Sequence, residues 1–271
     1  MSGTGLHGTG HNPDTLSIMA SMSSRTISML LAAVLAYGCA TVPRAKLVEA
    51  GTQAECVVLL HGLNRSWRAM NTMAEALQDA GYSTANVDYP SQSDVVEQLA
   101  PAVVELGLEQ CRAAGADRIH FVTHSMGGIL LRFAHEREPI PEIGRVVMLG
   151  PPNQGSEVVD KTRKWPGMEI FAGPAGLQLG TDEESIPSRL GPVDFELGVI
   201  AGKGSINPLM SVLLPDEDDG KVTVERTKVA GMDDFIVVPD NHHFIVSDDD
   251  VIANTLNFLE YGRFLTPSAG R

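Results

Sequence analysis

The stretch that most constrains this chain is Arg118 to Ala134, RIHFVTHSMGGILLRFA. Its first part, Ile119 to Thr123, is a short apolar run of the kind that makes a buried strand. Ser125 follows in the middle of THSMG, and Gly127-Gly128 leads into Ile-Leu-Leu-Arg-Phe-Ala, which reads as a helix. A strand, a sharp turn and a helix therefore present one serine. A serine alcohol is a weak nucleophile, so it must be exposed, near a base and near the positive end of a helix. The backbone of such a turn is strained, and the residues two places either side of the serine must be small. Gly127 meets that demand. Thr123 stands where the usual G-x-S-x-G pattern has its first glycine, and it is bulkier.

A length of 271 residues suits one α/β domain with a short extension, and 43% hydrophobic residues can fill its core. The formal net charge of −14 argues against a nucleic-acid partner, because phosphate binding needs a basic face. No stretch reaches the roughly 18–20 continuous apolar residues of a membrane-spanning helix. Residues 1–38 divide into a Gly-, Ser- and Thr-rich start, expected to be disordered, and an apolar run from Ile27 to Tyr37 preceded by Arg25. That run has signal-peptide length and ends Ala36-Tyr37-Gly38, just before Cys39. The pattern resembles a bacterial lipoprotein signal. Export is the expectation, to the periplasm or outer membrane, with possible membrane attachment through Cys39 and residues 39–54 as a tether; an uncleaved N-terminal anchor is the alternative.

The domain is expected over 55–265. Cys56 to Leu60 (CVVLL) is a continuous apolar strand followed by His61-Gly62-Leu63. Trp67 to Ala80 has helical spacing, Ser83 to Val87 is a strand, and Val95 to Ala114 is mostly helical, with Pro101 marking a kink or a fresh start. Asp88, at a strand end, and His61 are read as structural. Arg145 to Leu149 (RVVML), Phe195 to Ala201 and Asp234 to Val238 are further strands. Between them, 151–194 is rich in Gly and Pro and is expected as a lid-like insertion over the strand ends or a plain long loop. The acidic run Asp216 to Asp219 lacks the alternating oxygen ligands of a calcium loop. Asp219, before Gly220-Lys221-Val222, is the best candidate for an acid that would orient a histidine. Val222 to Val229 is a helix or an irregular segment. Asn241-His242-His243-Phe244 follows the last strand, and Asp248 caps a closing helix from Asp249 to Glu260.

Ser125, Asp219 and a histidine of the 242–243 pair come in the order Ser, Asp, His, each downstream of a strand. All three could sit at the C-terminal edge of one parallel sheet, where open α/β sheets bind ligands. On VVLLHGL, HFVTHSMGG, VVMLGPPNQGS, DDGKV and NHHF, the chain resembles the α/β-hydrolase superfamily, in particular small bacterial lipases and esterases, over roughly Glu55 to Phe264. The resemblance implies an α/β-hydrolase fold: a mostly parallel sheet of about six strands, since none is obvious before Cys56, with helices on both faces and a small lid. It implies a serine ester hydrolase acting on small-molecule or lipid esters, with no metal or organic cofactor. It assigns Ser125 as nucleophile, Asp219 as the acid, His242 rather than His243 as the base, and the Leu63 and Met126 amides as the oxyanion hole. Adjacent side chains of an extended segment point to opposite sides; with His242 inward, Phe244 would anchor the loop in the core and His243 would face outward.

An acyltransferase or thioesterase would use the same triad, and a non-catalytic lipid or protein binder could share the fold. Aspartate-nucleophile members of the fold, the epoxide hydrolases and dehalogenases, are disfavoured by Ser125. If Cys39 is lipidated, Cys56 and Cys111 are left. Cys56 starts a strand and Cys111 lies near the end of the helix leading into the Ser125 strand, so both belong at the edge opposite the site. They pair or remain two buried thiols.

Overall fold

The computed structural model describes residues 43–48, 54–205 and 214–265. The signal-like run and Cys39 lie outside them. Seven strands form one sheet: β1 (Arg44–Val48), β2 (Glu55–Leu60), β3 (Ser83–Asp88), β4 (Arg118–His124), β5 (Ile143–Leu149), β6 (Leu197–Gly202) and β7 (Asp234–Val238). Their order is β1-β3-β2-β4-β5-β6-β7. All neighbours from β3 to β7 run parallel, and β1 alone pairs antiparallel, Arg44 opposite Asp88 and Val48 opposite Thr84.

Helices cover both faces of the parallel strands, so β2 and β6 carry near-continuous apolar runs, while β3 (STANVD) buries Ser83, Thr84 and Asn86 as well. In β2, Cys56, Val58 and Leu60 face a core built with α2 (Val96–Ala113) and α3 (Met126–Arg137). Val57 and Leu59 face the other core, built with α1 (Asn71–Asp79) and α7 (Asp249–Tyr261). A 3₁₀ turn, Trp67–Met70, precedes α1. Helix α2 runs unbroken through Pro101. Asp248 caps α7, its side chain accepting from the Asp250 and Val251 amides.

Two expectations need correction. The sheet has seven strands rather than about six, and the seventh lies inside the stretch expected to be a tether. Arg44–Val48 (RAKLV) is a half-exposed edge strand, so it lacks the buried apolar run that marks the others. The stretch 222–229, read as a helix or an irregular segment, is irregular, with one 3₁₀ turn, Glu225–Thr227, and a bridge between Asp218 and Thr223.

The segment 151–194 folds as short helical pieces, α4 (Glu157–Thr162), α5 (Met168–Leu177), which is broken by a kink at Gly173 (φ 61°, ψ 176°), and α6 (Ile186–Arg189). Cys56 and Cys111 form a disulfide with a Cα–Cα distance of 5.6 Å, joining the start of β2 to the end of α2. Among the described residues no helix is long and apolar enough to cross a membrane.

Candidate active site

Ser125 occupies the turn between β4 and α3 with φ 54° and ψ −122°. Few non-glycine residues adopt this backbone, which costs on the order of 1–3 kcal/mol. The turn is held by two hydrogen bonds: the Ser125 amide donates to Leu149 O (2.9 Å), and the Gly128 amide to Ser125 O (3.0 Å). It also needs space. A Cβ on Gly127 would stand 2.6 Å from Leu60 O, so glycine lets α3 start against the end of β2. A Cβ on Gly62 would stand 2.8 Å from His124 Nδ1 and 3.0 Å from Ser125 Cβ. Thr123, fully buried, finds its room at Gly128, where a Cβ would lie 3.2 Å from Thr123 Oγ1.

His242 arrives in the turn after β7, and its Nε2 lies 2.9 Å from Ser125 Oγ. On its other side, Nδ1 lies 2.6 Å from Asp219 Oδ2. Nδ1–H donating to the carboxylate leaves Nε2 free to accept the serine proton. Asp219 is 2% exposed, yet its charge is well satisfied: Oδ1 accepts from the amides of Lys221 (3.0 Å) and Val222 (2.9 Å). The His242 amide donates to Asp219 O (2.9 Å), which ties the two loops together. The three side chains come from loops after β4, β6 and β7, all on the C-terminal edge of the sheet.

Leu63 and Met126 flank this serine. Among the described residues, neither amide is taken by a protein hydrogen bond, and Leu63 lines the cavity in front of Ser125. His61 braces the Leu63 loop from beneath. Its Nδ1–H donates to Gly62 O (2.8 Å), its Nε2 accepts from the Tyr89 amide (3.3 Å), and its ring stacks on Tyr89 at 4.0 Å. Tyr89 Oη donates to His61 O. Burial holds His61 below its ordinary pKa, in keeping with that neutral, bracing role. Asp88 Oδ1 accepts from the Trp67 amide (3.1 Å), a structural contact.

His243 is exposed, as expected, but the reason differs. Asn241 to Ser247 is a turn in which Asn241 Oδ1 accepts from the His243 (2.9 Å) and Phe244 (3.3 Å) amides, so alternation along an extended strand does not apply. Phe244 is 57% exposed and does not anchor the loop; Ile245 and Val246 fill the core instead.

His124 carries a role that sequence reasoning did not find. Its Nε2–H donates to His242 O (2.9 Å), fixing the height of the histidine loop over Ser125. Burial, and then the nearby His242, push its pKa well below the ordinary value, so it stays neutral. The available signal was a second histidine directly before the serine. Strand alternation turns it to the face opposite Thr123, toward the loop after β7.

The cavity in front of Ser125 is about 360 Å³. Its apolar wall comes from the 151–194 insertion: Val158, Val159, Met168, Phe171 and Leu179. Lys221, Asn241 and His243 complete it from the loops that carry Asp219 and His242. The insertion is fastened to the loops after β2 and β3: Asn64 Nδ2 donates to Phe171 O (2.8 Å), and Gln92 Nε2 donates to Ile170 O (3.1 Å) and Phe171 O (2.5 Å).

Comparison with known proteins agrees with this architecture. Bacillus licheniformis lipase BlEst2 in its propeptide form shares 22% identity at a TM-score of 0.69, over 84% of this chain and 55% of that one. The chain thus spans little more than half of that form. The mature form shares 20% identity at a TM-score of 0.64, over 82% of this chain and 98% of that one. Phospholipase PlaB from Legionella pneumophila shares 18% identity at a TM-score of 0.53, over 64% of this chain and 44% of that one. At such identities the likeness is one of fold. No curated protein matches the chain. The model of the alpha/beta hydrolase family matches residues 57–198, just over half of the 271, from the strand before the Leu63 loop to the start of β6. With that match, the chain belongs to the alpha/beta hydrolase family.

Proposed function

We propose that this protein is a serine hydrolase of carboxylic esters. The observation that carries the reading is the hydrogen-bonded line from Ser125 Oγ through His242 to Asp219, opening onto an apolar cavity. His242 Nε2 takes the Ser125 proton as Oγ attacks the ester carbonyl. Asp219 keeps the proton on Nδ1 and stabilises the imidazolium that forms. The Leu63 and Met126 amides donate to the oxyanion, each contributing roughly 3–4 kcal/mol. His242 then protonates the leaving alcohol, and water, deprotonated by the same histidine, releases the acid from Ser125. The apolar wall of the insertion, with Ile170 and Phe171 largely exposed beside it, supports a lipid or other apolar acyl group as substrate.

Fluorophosphonate treatment followed by peptide mass spectrometry tests the assignment. The adduct is expected on the Ser125 peptide, and Ser125→Ala should lose ester hydrolysis and labelling together. An adduct on another residue, or full activity in Ser125→Ala, refutes it. We also propose that the protein is exported and held at a membrane through lipid on Cys39. The buried Cys56–Cys111 disulfide supports an oxidising compartment. Radiolabelled fatty acid should enter the wild type and not Cys39→Ser.

A further inference from the structure

Among the described residues only two that are not glycine have a positive φ, Asn64 at 58° and Ser125 at 54°. Such a backbone is uncommon for an L residue and persists only where its surroundings hold it. Each of the two stands beside one amide of the oxyanion hole in the reaction above: Asn64 follows Leu63, and Ser125 precedes Met126. At Ser125 the need to present a nucleophile explains the conformation. Asn64 does not line the cavity, so contact with substrate does not explain it there.

The contacts of Asn64 point to Leu63. Its amide donates to Oγ of the buried Ser91 (3.0 Å), and its carboxamide donates to Phe171 O (2.8 Å) on α5. The Leu63 side chain lies on the same α5: a Cβ on Gly176 would stand 2.7 Å from Leu63 Cδ2. A trans peptide is planar, with its C=O and N–H pointing opposite ways. His61 holds Gly62 O, on the far side of the plane that carries the Leu63 amide. Ser91 holds the next plane, whose N–H is that of Asn64. The chain beyond is fixed as well, since the Trp67 amide donates to Asp88 (3.1 Å). An ordinary negative φ at Asn64 would therefore have to be absorbed by turning the Leu63–Asn64 peptide, and the Leu63 amide would swing with it.

We propose that Asn64 is a positioning residue for the oxyanion hole: its left-handed backbone, held by Ser91 and by the insertion, keeps the Leu63 amide aimed where the ester oxygen becomes negative. The role rests on the ester-hydrolase reading and deepens it, because the insertion then ties down the hole as well as walling the cavity. A donor aimed at the oxyanion acts in the transition state more than on the bound ester, so its placement is read in kcat rather than KM.

The test measures turnover of p-nitrophenyl butyrate by the full chain, counted per Ser125 that a fluorophosphonate labels at completion, so that unfolded protein drops out. Asn64→Val, whose branched side chain disfavours a left-handed backbone, should lower kcat by about tenfold to a hundredfold with KM within about twofold. Asn64→Gly, which adopts that backbone freely, should recover all but about threefold, the remainder being the lost carboxamide bond. Ser91→Ala should lower kcat in the same sense. Asn64→Ala replaces Asn64→Val if the latter does not fold. The second readout is inhibition by 1,1,1-trifluoro-2-octanone. Ser125 Oγ adds to its carbonyl carbon, the serine proton passes to His242, and the carbonyl oxygen becomes an oxyanion facing the two amides. Its Ki should rise across the variants by the factor by which kcat/KM falls. Unchanged kcat and Ki in Asn64→Val and Ser91→Ala, or a loss carried wholly by KM, overturns this role alone. Equal losses in Asn64→Gly and Asn64→Val overturn the part given to the backbone. A wild type that does not hydrolyse p-nitrophenyl butyrate, or a Ser125→Ala that still does, overturns the ester-hydrolase reading and this role with it.

Discussion

Reducing the Cys56–Cys111 disulfide should separate stability from catalysis. The bond spans 55 residues of sequence. Holding those ends together in the unfolded chain removes about 14 cal/mol/K of its entropy, or about 4 kcal/mol at 25 °C in the chain-entropy model. Both cysteines are fully buried in the native state, so the oxidised and reduced proteins differ little in packed surface. With a urea m-value of about 2.5 kcal/mol/M for a domain of this size, the midpoint should fall by about 1.7 M on reduction. The bond sits at the start of β2 and the end of α2, whereas Ser125, Asp219 and His242 sit at the opposite edge of the sheet. Turnover of p-nitrophenyl butyrate by reduced protein at 25 °C, far below its midpoint, should therefore match that of the oxidised form. The assay is equilibrium urea unfolding followed by tryptophan fluorescence, with and without a phosphine reductant. Thiol titration in urea should show two cysteines that react only after reduction. Midpoints within about 0.3 M of each other would refute the entropic reasoning. A matching loss of turnover under native conditions would refute the claim that the two edges are independent.

Three further outcomes follow from the same geometry. Asp219→Asn should lower kcat by about 10⁴, because an amide at this position no longer holds the proton on His242 Nδ1, and steady-state kinetics on a soluble ester will measure it. Gly127→Ala should cost about 1–3 kcal/mol in urea unfolding and most of the activity, since its Cβ would stand 2.6 Å from Leu60 O and the start of α3 would have to move. Stability should also fall with pH below the ordinary histidine value of 6.5. His61, His120 and His124 are kept neutral chiefly by burial, which lowers their pKa, whereas the unfolded chain takes up a proton at each as pH drops through 6.5. Above about pH 7.5 neither state is charged at these residues and their contribution is constant, so a melting temperature that stays level from pH 7.5 down to pH 5 would contradict it.

Several parallel strands were legible in the sequence because burial on both faces favours an unbroken apolar run, as in Cys56–Leu60 and Val146–Leu149. β1 was not legible for the same reason inverted: an edge strand with exposed Arg44 and Lys46 carries the composition of a linker. The structure brings Ser125, Asp219 and His242, far apart in the chain, into one hydrogen-bonded line. Phe244 was misplaced because the segment after β7 was taken as extended. The Asn241 side chain turns the backbone at once, and hydrophobicity then falls on Ile245 and Val246 one residue later. His124 was invisible because its partner is a backbone carbonyl 118 residues away, a contact that no local pattern encodes.

Thr123 shows why a motif position is a statement about volume rather than about one residue. The small residue two places before the nucleophile exists so that the end of β4 and the first turn of α3 can pack closely. Here the bulk sits on the strand and the helix gives way: Gly128 leaves the space that Thr123 Oγ1 occupies, and a Cβ there would also press on Met148 Sδ at 3.1 Å. The usual first glycine has in effect been exchanged for a glycine at the third residue of the helix, five places further along the chain. Neighbouring β5 joins the arrangement, since Thr123 pairs with Met148 across the sheet. The exchange is tolerable because the part of the turn that touches chemistry is unchanged. Ser125 keeps its positive φ, its amide still bonds Leu149, and Gly127 still admits Leu60 O. A turn in which both partners were large would have to open, and the 2.9 Å contact between Ser125 Oγ and His242 Nε2 would be the first to lengthen.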